Sequence, residues 1–107
     1  MGKKISKTTA EKLCNNYDAK YTNLTKLIGK KDNRSIGFTL EELKQYIEYV
    51  EKNGKGINGI RIYLGSNVDT KLTTVFLAPT SNGVDDTSLN AYNVGLVGIP
   101  PSKKYGK

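Results

Sequence analysis

Residues 58–65, Asn-Gly-Ile-Arg-Ile-Tyr-Leu-Gly, and residues 72–79, Leu-Thr-Thr-Val-Phe-Leu-Ala-Pro, decide the fold of this chain. In the first stretch, aliphatic residues at even positions alternate with Arg61 and Tyr63 at odd positions. A period of two is that of a β-strand with one buried face. The pattern therefore predicts a strand that presents Arg61 and Tyr63 together on one face. The residues expected to be buried on its other face are Ile60, Ile62 and Leu64.

The second stretch is predicted to be the central strand of the sheet. Its segment 72–78 has apolar residues on both faces, as strands covered on both sides do, and Pro79 is expected to end it. The polar loop 66–71 returns the chain as an antiparallel hairpin. A turn at 81–83 follows, and residues 90–99 are predicted to add another short strand before a proline pair.

The N-terminal region predicts a first helix. Thr8 and Glu11 have the spacing of a capping box, in which hydroxyl and carboxylate each accept a hydrogen bond from the other's backbone N–H. Apolar residues then recur at steps of three and four, and Gly29 is a natural stop. Several weak helix formers lie in this segment, so tertiary packing must hold it or it breaks near its middle. The apolar stripe consists of Ala10, Leu13, Cys14, Tyr17, Tyr21, Leu24 and Ile28.

A second helix is predicted to begin at Thr39 and to end at residues 53–54. Thr39 and Glu42 form another capping box, and Phe38 with Leu43 supplies the hydrophobic staple that often accompanies one. The stripe expected to be buried is Leu40, Leu43, Tyr46, Ile47 and Val50. Together these elements predict an α+β fold, with two helices packed on one face of a small, mainly antiparallel sheet.

Length and composition exclude several classes of protein. The 107 residues suffice for a single domain, 1–107, in which residues 1–7 and 102–107 are expected to be flexible tails. The chain has no histidine and one cysteine, Cys14. Because the commonest zinc sites, cysteine-cluster metal sites and His-based triads need these residues, we expect no metal, no cofactor and no familiar hydrolase mechanism.

The hydropathy pattern gives no sign of membrane insertion. No apolar run approaches the ~20 residues that cross a bilayer, and the basic N-terminus is not followed by the apolar segment of a signal peptide. We therefore expect a cytoplasmic protein without a membrane partner.

The positive charge is concentrated at the N-terminal end. Of the formal net charge of +7, residues 1–34 carry nine Lys or Arg and three Asp or Glu. Lys30, Lys31 and Arg34 lie in the polar loop between the two predicted helices. Such a surface attracts phosphates or an acidic partner at modest salt, and the tyrosines interleaved at 17–31 suit base stacking. Lysine-rich surfaces equally occur for solubility alone.

Arg61 and Tyr63 are the leading candidates for a ligand-binding site, with Lys30, Lys31 and Arg34 as further members. A planar guanidinium beside a phenol on one strand face can hold a carboxylate or phosphate, or stack a base. The alternative is structural: Arg61 covers a helix and pairs with a glutamate of the second helix.

Asp85 and Asp86, near Asp69, form the only acidic constellation outside the predicted helices. Adjacent carboxylates can recruit a hard cation through oxygen ligands. EF-hand spacing is missing, and such pairs commonly serve as turn residues or helix caps. No metal site is therefore predicted.

Three motifs together resemble a known group of proteins. They are Phe38-Thr39-Leu40-Glu41-Glu42-Leu43, Gly59-Ile60-Arg61-Ile62-Tyr63 and Thr74-Val75-Phe76-Leu77-Ala78-Pro79-Thr80. With them the chain is similar to small uncharacterised proteins encoded in Bacteroidota genomes, which join an E-E-L helix to a G-I-R-x-Y strand. Members carry cysteines near a C-terminal proline-containing segment, where this chain has none. The resemblance covers roughly residues 35–101, implies a bacterial, intracellular setting, and transfers no functional residues.

The leading functional hypothesis is a non-enzymatic binding or adaptor protein that recognises a protein or a small anionic ligand. Its surface would centre on Arg61 and Tyr63. The alternative is a nucleic-acid or nucleotide binder that uses the basic N-terminal third, and an enzyme without histidine is the less favoured third reading. The oligomeric state stays open, because an amphipathic helix or an open strand edge can mediate dimerisation.

Overall fold

The computed structural model describes residues 2–93 and has the predicted α+β architecture. Its helices are α1 (Lys7–Asn16), α2 (Asp18–Ile28) and α3 (Leu40–Asn53). Its strands are β1 (Gly59–Ser66), β2 (Thr73–Ser81), β3 (Val84–Asp85) and β4 (Tyr92–Asn93), and all pair antiparallel. The later part of the predicted strand at 90–99, and the predicted tail at 102–107, lie outside the described residues.

Strand β2 is the centre of the sheet, as its apolar sequence predicts. It pairs along one side with the whole of β1, so that Ile62 lies opposite Leu77. On its other side it pairs with β3 at one end and with β4 nearer its middle. The β2–β3 turn contains Asn82 and Gly83, whose φ angles of 50° and 81° are those of a type I′ hairpin.

Pro79 does not end β2, contrary to the sequence-based prediction. It lies within the strand, is fully buried and sits opposite Ile60. Its carbonyl oxygen accepts a hydrogen bond from Asp86 N at 2.9 Å, on the side of β2 away from β1. A proline is tolerated here because its missing N–H falls at a position that makes no ladder bond to β1.

The hydrophobic core lies between α3 and the middle of the sheet. Tyr46 and Val50 of α3 and Leu77 of β2 are buried. The partly buried residues around them are Phe38, Leu43, Tyr49, Ile57, Leu89 and Tyr92. The hydroxyl of Tyr46 donates to the Leu77 carbonyl at 3.3 Å or to that of Asn90 at 2.8 Å, so its polar end is satisfied. Burial of the ring raises the Tyr46 pKa.

The start of α3 is confirmed. Thr39 Oγ1 accepts from Glu42 N at 3.0 Å, and Glu42 Oε2 accepts from Thr39 N at 2.7 Å. The predicted buried stripe is too wide, however, because Leu40 and Ile47 are exposed. Both lie on the flank of α3, beyond the strip that contacts the sheet.

The first helix starts two residues earlier than predicted and is divided. Ser6, not Thr8, is its N-cap, and Ser6 Oγ accepts from Thr9 N at 3.1 Å. At Tyr17 the helix bends, so that α1 and α2 form one bent segment, as the weak helix formers suggested. Gly29 ends it in the left-handed conformation, with φ 74°.

The bent segment is attached to the sheet by polar contacts. Neither α1 nor α2 has a fully buried side chain. Instead the buried carboxylate of Asp32 accepts from Thr73 N and Thr73 Oγ1, both at 2.6 Å, and from Asn33 N at 2.8 Å. Asn33 Nδ2 donates to Thr73 O at 2.9 Å, and Tyr21 Oη donates to Asp32 O. These bonds join the loop after α2 to the first residue of β2.

The three aliphatic residues of β1 are exposed, contrary to prediction. Ile60 is 37% exposed, Ile62 63% and Leu64 80%. They point to the face that the helices cover, since their partners on β2 include Leu77. The core side chains of α3, however, pack on Leu77 of β2 and Tyr92 of β4, and β1 is at the margin. The alternation of β1 predicted correctly which face its aliphatic residues lie on, but it did not predict that the helices leave this face of β1 exposed.

Candidate functional site

The face of the sheet opposite the helices carries the predicted pair. Cross-strand neighbours point to the same side of a sheet, and the register places Arg61 opposite Ala78 and Tyr63 opposite Phe76. Asp85 of β3 pairs with Thr80, which lies on the same face. The set of Arg61, Tyr63, Phe76 and Asp85 is hereafter called the open-face cluster.

Hydrogen bonds hold the polar members of this cluster together. Arg61 Nη1 donates to Asp85 Oδ1 at 3.0 Å and to Tyr63 Oη at 3.4 Å, and Arg61 Nη2 donates to the carbonyl of Gly83. The Tyr63 hydroxyl donates to the other oxygen of the Asp85 carboxylate. The bond to Tyr63, then the charge of Asp85, raises the pKa of Arg61. Arg61 thus pairs with Asp85 and not with a glutamate of α3.

The aromatic members form a floor beside these charges. The rings of Tyr63 and Phe76 stack with centroids 5.0 Å apart and an interplanar angle of 12°. Next to them is a recess of about 330 Å³. Its other lining residues are Ala78, Pro79, Asp85, Asp86, Thr87, Leu89 and Ala91. Hydrogen bonds from the side chain and then the backbone of Ser88 lower the pKa of Asp86. The recess therefore has an apolar interior and two carboxylates at its margin.

The charge of Arg61 is balanced by Asp85, so this site does not present a free cation to a ligand. The guanidinium of Arg61 is already bonded to a carboxylate, and 44% of its side chain is still exposed. A small anion would have to compete with Asp85 for the same donors. A ligand that contributes apolar or aromatic area, with both hydrogen-bond donors and acceptors, fits without breaking that ion pair.

The structure places the basic loop residues away from the open-face cluster. The loop joins β2 at Thr73, whereas Arg61 lies opposite Ala78, five residues along the strand, or roughly 17 Å away. Lys30 and Lys31 are exposed. The three loop residues and the Arg61–Tyr63 pair therefore do not form one site.

Arg34 has a structural role in the helix bend. Its Nη2 donates to Cys14 O at 2.7 Å and also contacts Cys14 Sγ and Asp18 Oδ1. The bond to the Cys14 side chain, followed by those to Asp18, raises its pKa. The guanidinium carbon lies 5.8 Å from the ring centre of Tyr17 and 5.1 Å from that of Tyr21. These two half-buried rings pack on Arg34, which reduces the area they offer to a stacked base.

A larger recess of about 430 Å³ lies on the helix-covered face, between α1 and the hairpin. Its lining residues include Leu13, Cys14, Ile36, Leu64 and Val75. Within residues 2–93, two polar atoms of its lining residues, Asn33 Oδ1 and Arg34 Nε, have no hydrogen-bond partner. Both atoms are buried, so they are not exposed to a ligand in the recess.

Sequence reasoning missed Phe76 and Asp85 as neighbours of Arg61 and Tyr63. The signal was present in the turn at residues 82–83, since a two-residue hairpin fixes Ser81 opposite Val84 and Asp85 opposite Thr80. Combined with the register of the first hairpin, this turn brings Asp85 to the face of Arg61.

No protein-family model, curated protein or solved structure matches this chain. The resemblance to Bacteroidota proteins therefore stays a prediction. Among residues 2–93, no helix is both long enough and apolar enough to cross a membrane.

Proposed function

We propose that this chain is a non-enzymatic binding or adaptor protein that recognises a segment of another protein through the open-face cluster. The observation that carries the proposal is the stacked Tyr63–Phe76 floor beside the 330 Å³ recess, on the side of the sheet opposite the helices. Aromatic side chains provide large contact area at small entropic cost and are enriched in recognition surfaces. The paired Arg61 and Asp85 would supply donors and acceptors at its margin.

A protein segment fits this surface better than a small anion does. A peptide can place an apolar or aromatic side chain in the recess while its backbone donates to Asp85 or Asp86 and accepts from Arg61. It needs no net charge of its own, because Arg61 is already balanced by Asp85. A bacterial, cytoplasmic setting is part of the proposal and is supported by the resemblance of the helix–strand motifs.

The test is selection of phage-displayed random peptides on the immobilised chain, followed by affinity measurement for the selected peptides. We expect binding that weakens about tenfold or more in Tyr63→Ala, since loss of a buried aromatic contact commonly costs over 1 kcal/mol. Arg61→Ala should weaken it as well. The matched control is the double variant Lys30→Gln, Lys31→Gln, which should bind as the wild type does.

Selected peptides that bind the Tyr63 and Arg61 variants normally would refute this assignment. The alternative, nucleic-acid binding, is supported by the exposure of Lys30 and Lys31. It is measured with a fluorescent single-stranded oligonucleotide at low and high salt. Affinity that falls steeply with salt and is lost in the lysine double variant would favour the alternative.

A further inference from the structure

The outer edge of β1 is an unpaired strand edge within residues 2–93. Its partner β2 turns the carbonyl groups of Thr73, Val75 and Pro79 away from β1, toward Asn33 Nδ2, Asn93 Nδ2 and Asp86 N respectively. In an antiparallel pair, two directly opposed residues either both direct their N–H and C=O groups toward the other strand, or both direct them away from it. The register partners of these three residues are Ser66, Leu64 and Ile60. The even-numbered residues of β1 therefore direct their N–H and C=O groups to the open edge.

The side chains at this edge do not protect it. Natural edge strands are usually blocked by lysine, proline, a bulge or a very short length. Strand β1 is eight residues long, contains neither Lys nor Pro, and pairs with β2 without a bulge. Its one charge, Arg61, is bonded to Asp85 of its own chain. Three exposed aliphatic side chains border the unpaired backbone groups.

We propose that a second copy of this chain pairs antiparallel with β1 about a two-fold axis through Ile62. Antiparallel pairing of identical strands must centre on a residue or between two residues. A centre between residues would set the aliphatic face of one copy beside the polar face of the other. Centring on Tyr63 would also pair even positions through their backbone groups, but it would set Tyr63 opposite its own copy and Arg61 opposite Gly65. Centring on Ile62 instead sets Arg61 opposite Tyr63 and lets residues 59–65 of each copy pair in full.

The sequence of β1 is complementary to itself in that register. Ile60 of one copy lies opposite Leu64 of the other, so the aliphatic residues form one continuous strip across the junction. Arg61 lies opposite Tyr63 of the second copy, in the class of pair whose side chains approach most closely. The guanidinium of each copy then lies beside the Tyr63 ring of the other. A cation–aromatic contact thus forms on both sides of the axis.

This self-complementarity selects a second copy over other occupants. A foreign strand would satisfy the backbone groups, but nothing in β1 would favour its register. Pairing of two copies joins the two sheets and sets the open-face clusters side by side. The two proposals share Arg61 and Tyr63, so they are distinguished by variants at Ile62, which lies outside the open-face cluster.

The first test measures mass in solution by sedimentation over a range of chain concentrations. We expect the wild type to reach twice the chain mass of 11.8 kDa as concentration rises. Ile62→Lys should raise the dissociation constant about tenfold or more, because the axis sets the two new charges face to face. The control Val68→Lys, at an exposed position in the hairpin loop, should dimerise like the wild type.

The decisive arm mixes two variants. Ile62→Lys and Ile62→Glu should each be monomeric, and an equimolar mixture should form a heterodimer, since opposite charges then meet at the axis. Unchanged circular dichroism would show that both variants fold.

A weak dimer can be trapped by a disulfide between the two copies, in the double variant Cys14→Ser, Ile62→Cys. The two Cα atoms of residue 62 are then about 5.5 Å apart, within the range of a disulfide. Cys14→Ser with Val68→Cys should not cross-link.

Several outcomes would overturn the proposal. One is a wild type that stays monomeric at every concentration with no cross-link through position 62, as expected if residues 94–107 or a foreign strand occupy the edge. Others are an association that Ile62→Lys leaves unchanged, or a mixture of the two charged variants that remains monomeric.

Discussion

The two halves of the helical layer are attached to the sheet in different ways. Helix α3 is held by apolar burial, with Tyr46 and Val50 packed on Leu77. The bent segment α1–α2 has no fully buried side chain and is held through Asp32 and Asn33 to the start of β2. Both begin with a well-formed N-cap. A capped amphipathic pattern thus determines that a helix forms, and the neighbouring sheet determines what holds it.

The difference has an energetic consequence. Apolar burial tolerates small shifts, because it has no preferred direction. A buried carboxylate is stable only while its hydrogen-bond donors are in place, since an unpaired buried charge is costly. The α3 half should therefore lose stability in proportion to apolar area removed, and the α1–α2 half should depend on a few polar atoms.

The largest effect is expected at Leu77, and its register partner Ile62 is the matched control. Both are aliphatic and point to the same face, but Leu77 is 3% exposed and Ile62 63%. Leu77→Ala should lower the free energy of unfolding by about 2–5 kcal/mol. Ile62→Ala should change it by no more than about 0.5 kcal/mol. Urea unfolding at low chain concentration measures both, and equal losses would contradict the assignment of β1 to the margin.

The second effect concerns the polar attachment. Asp32→Ala removes the buried acceptor of three hydrogen bonds and should cost roughly 3 kcal/mol, because it leaves Asn33 N, Thr73 N and Thr73 Oγ1 without this partner. The same change at exposed Asp69 should cost no more than about 0.5 kcal/mol. In Asp32→Ala, amide hydrogen exchange should accelerate relative to the wild type more in α1 and α2 than in α3. Uniform loosening of all three helices would show that the two attachments are not separate.

The smallest effect is on acid stability at the start of α3. The bond from Thr39 N, and then that from the Tyr92 hydroxyl, lowers the pKa of Glu42 from 4.5. A lowered folded pKa gives stability that is present above the unfolded pKa and lost as pH falls through the folded value. Glu42→Gln keeps an acceptor oxygen but does not titrate, so its stability should fall less between pH 5 and about pH 3 than that of the wild type.

Exposed Glu51 on the same helix provides the comparison for this experiment. Glu51→Gln should leave the acid dependence of thermal unfolding unchanged. If Glu42→Gln and Glu51→Gln give the same profile as the wild type, the bonds to Glu42 contribute nothing to acid stability.

Local signals predicted the elements well and their environment less well. The capping box of α3, the stop at Gly29 and both turns depend on near neighbours in sequence, and all were found. The width of the buried stripe was overestimated at Leu40 and along β1, because burial depends on where the sheet ends. The predicted N-cap, Thr8, was wrong because Ser6 has the same spacing to Thr9 N as Thr8 has to Glu11 N, and the observed cap is Ser6. The pairing of Arg61 with Asp85 needed the registers of two successive hairpins.

The contact between Asp32 and Thr73 spans 41 residues of sequence. During synthesis, the helical segment leaves the ribosome before the strand that receives it exists. Isolated helices of this length are marginal in water, so α1 and α2 gain their attachment only after Thr73 has emerged. Folding is slowed by such distant contacts, because loop closure precedes the gain from forming them. The N-terminal helices are thus made first but can dock only after Thr73 has been made.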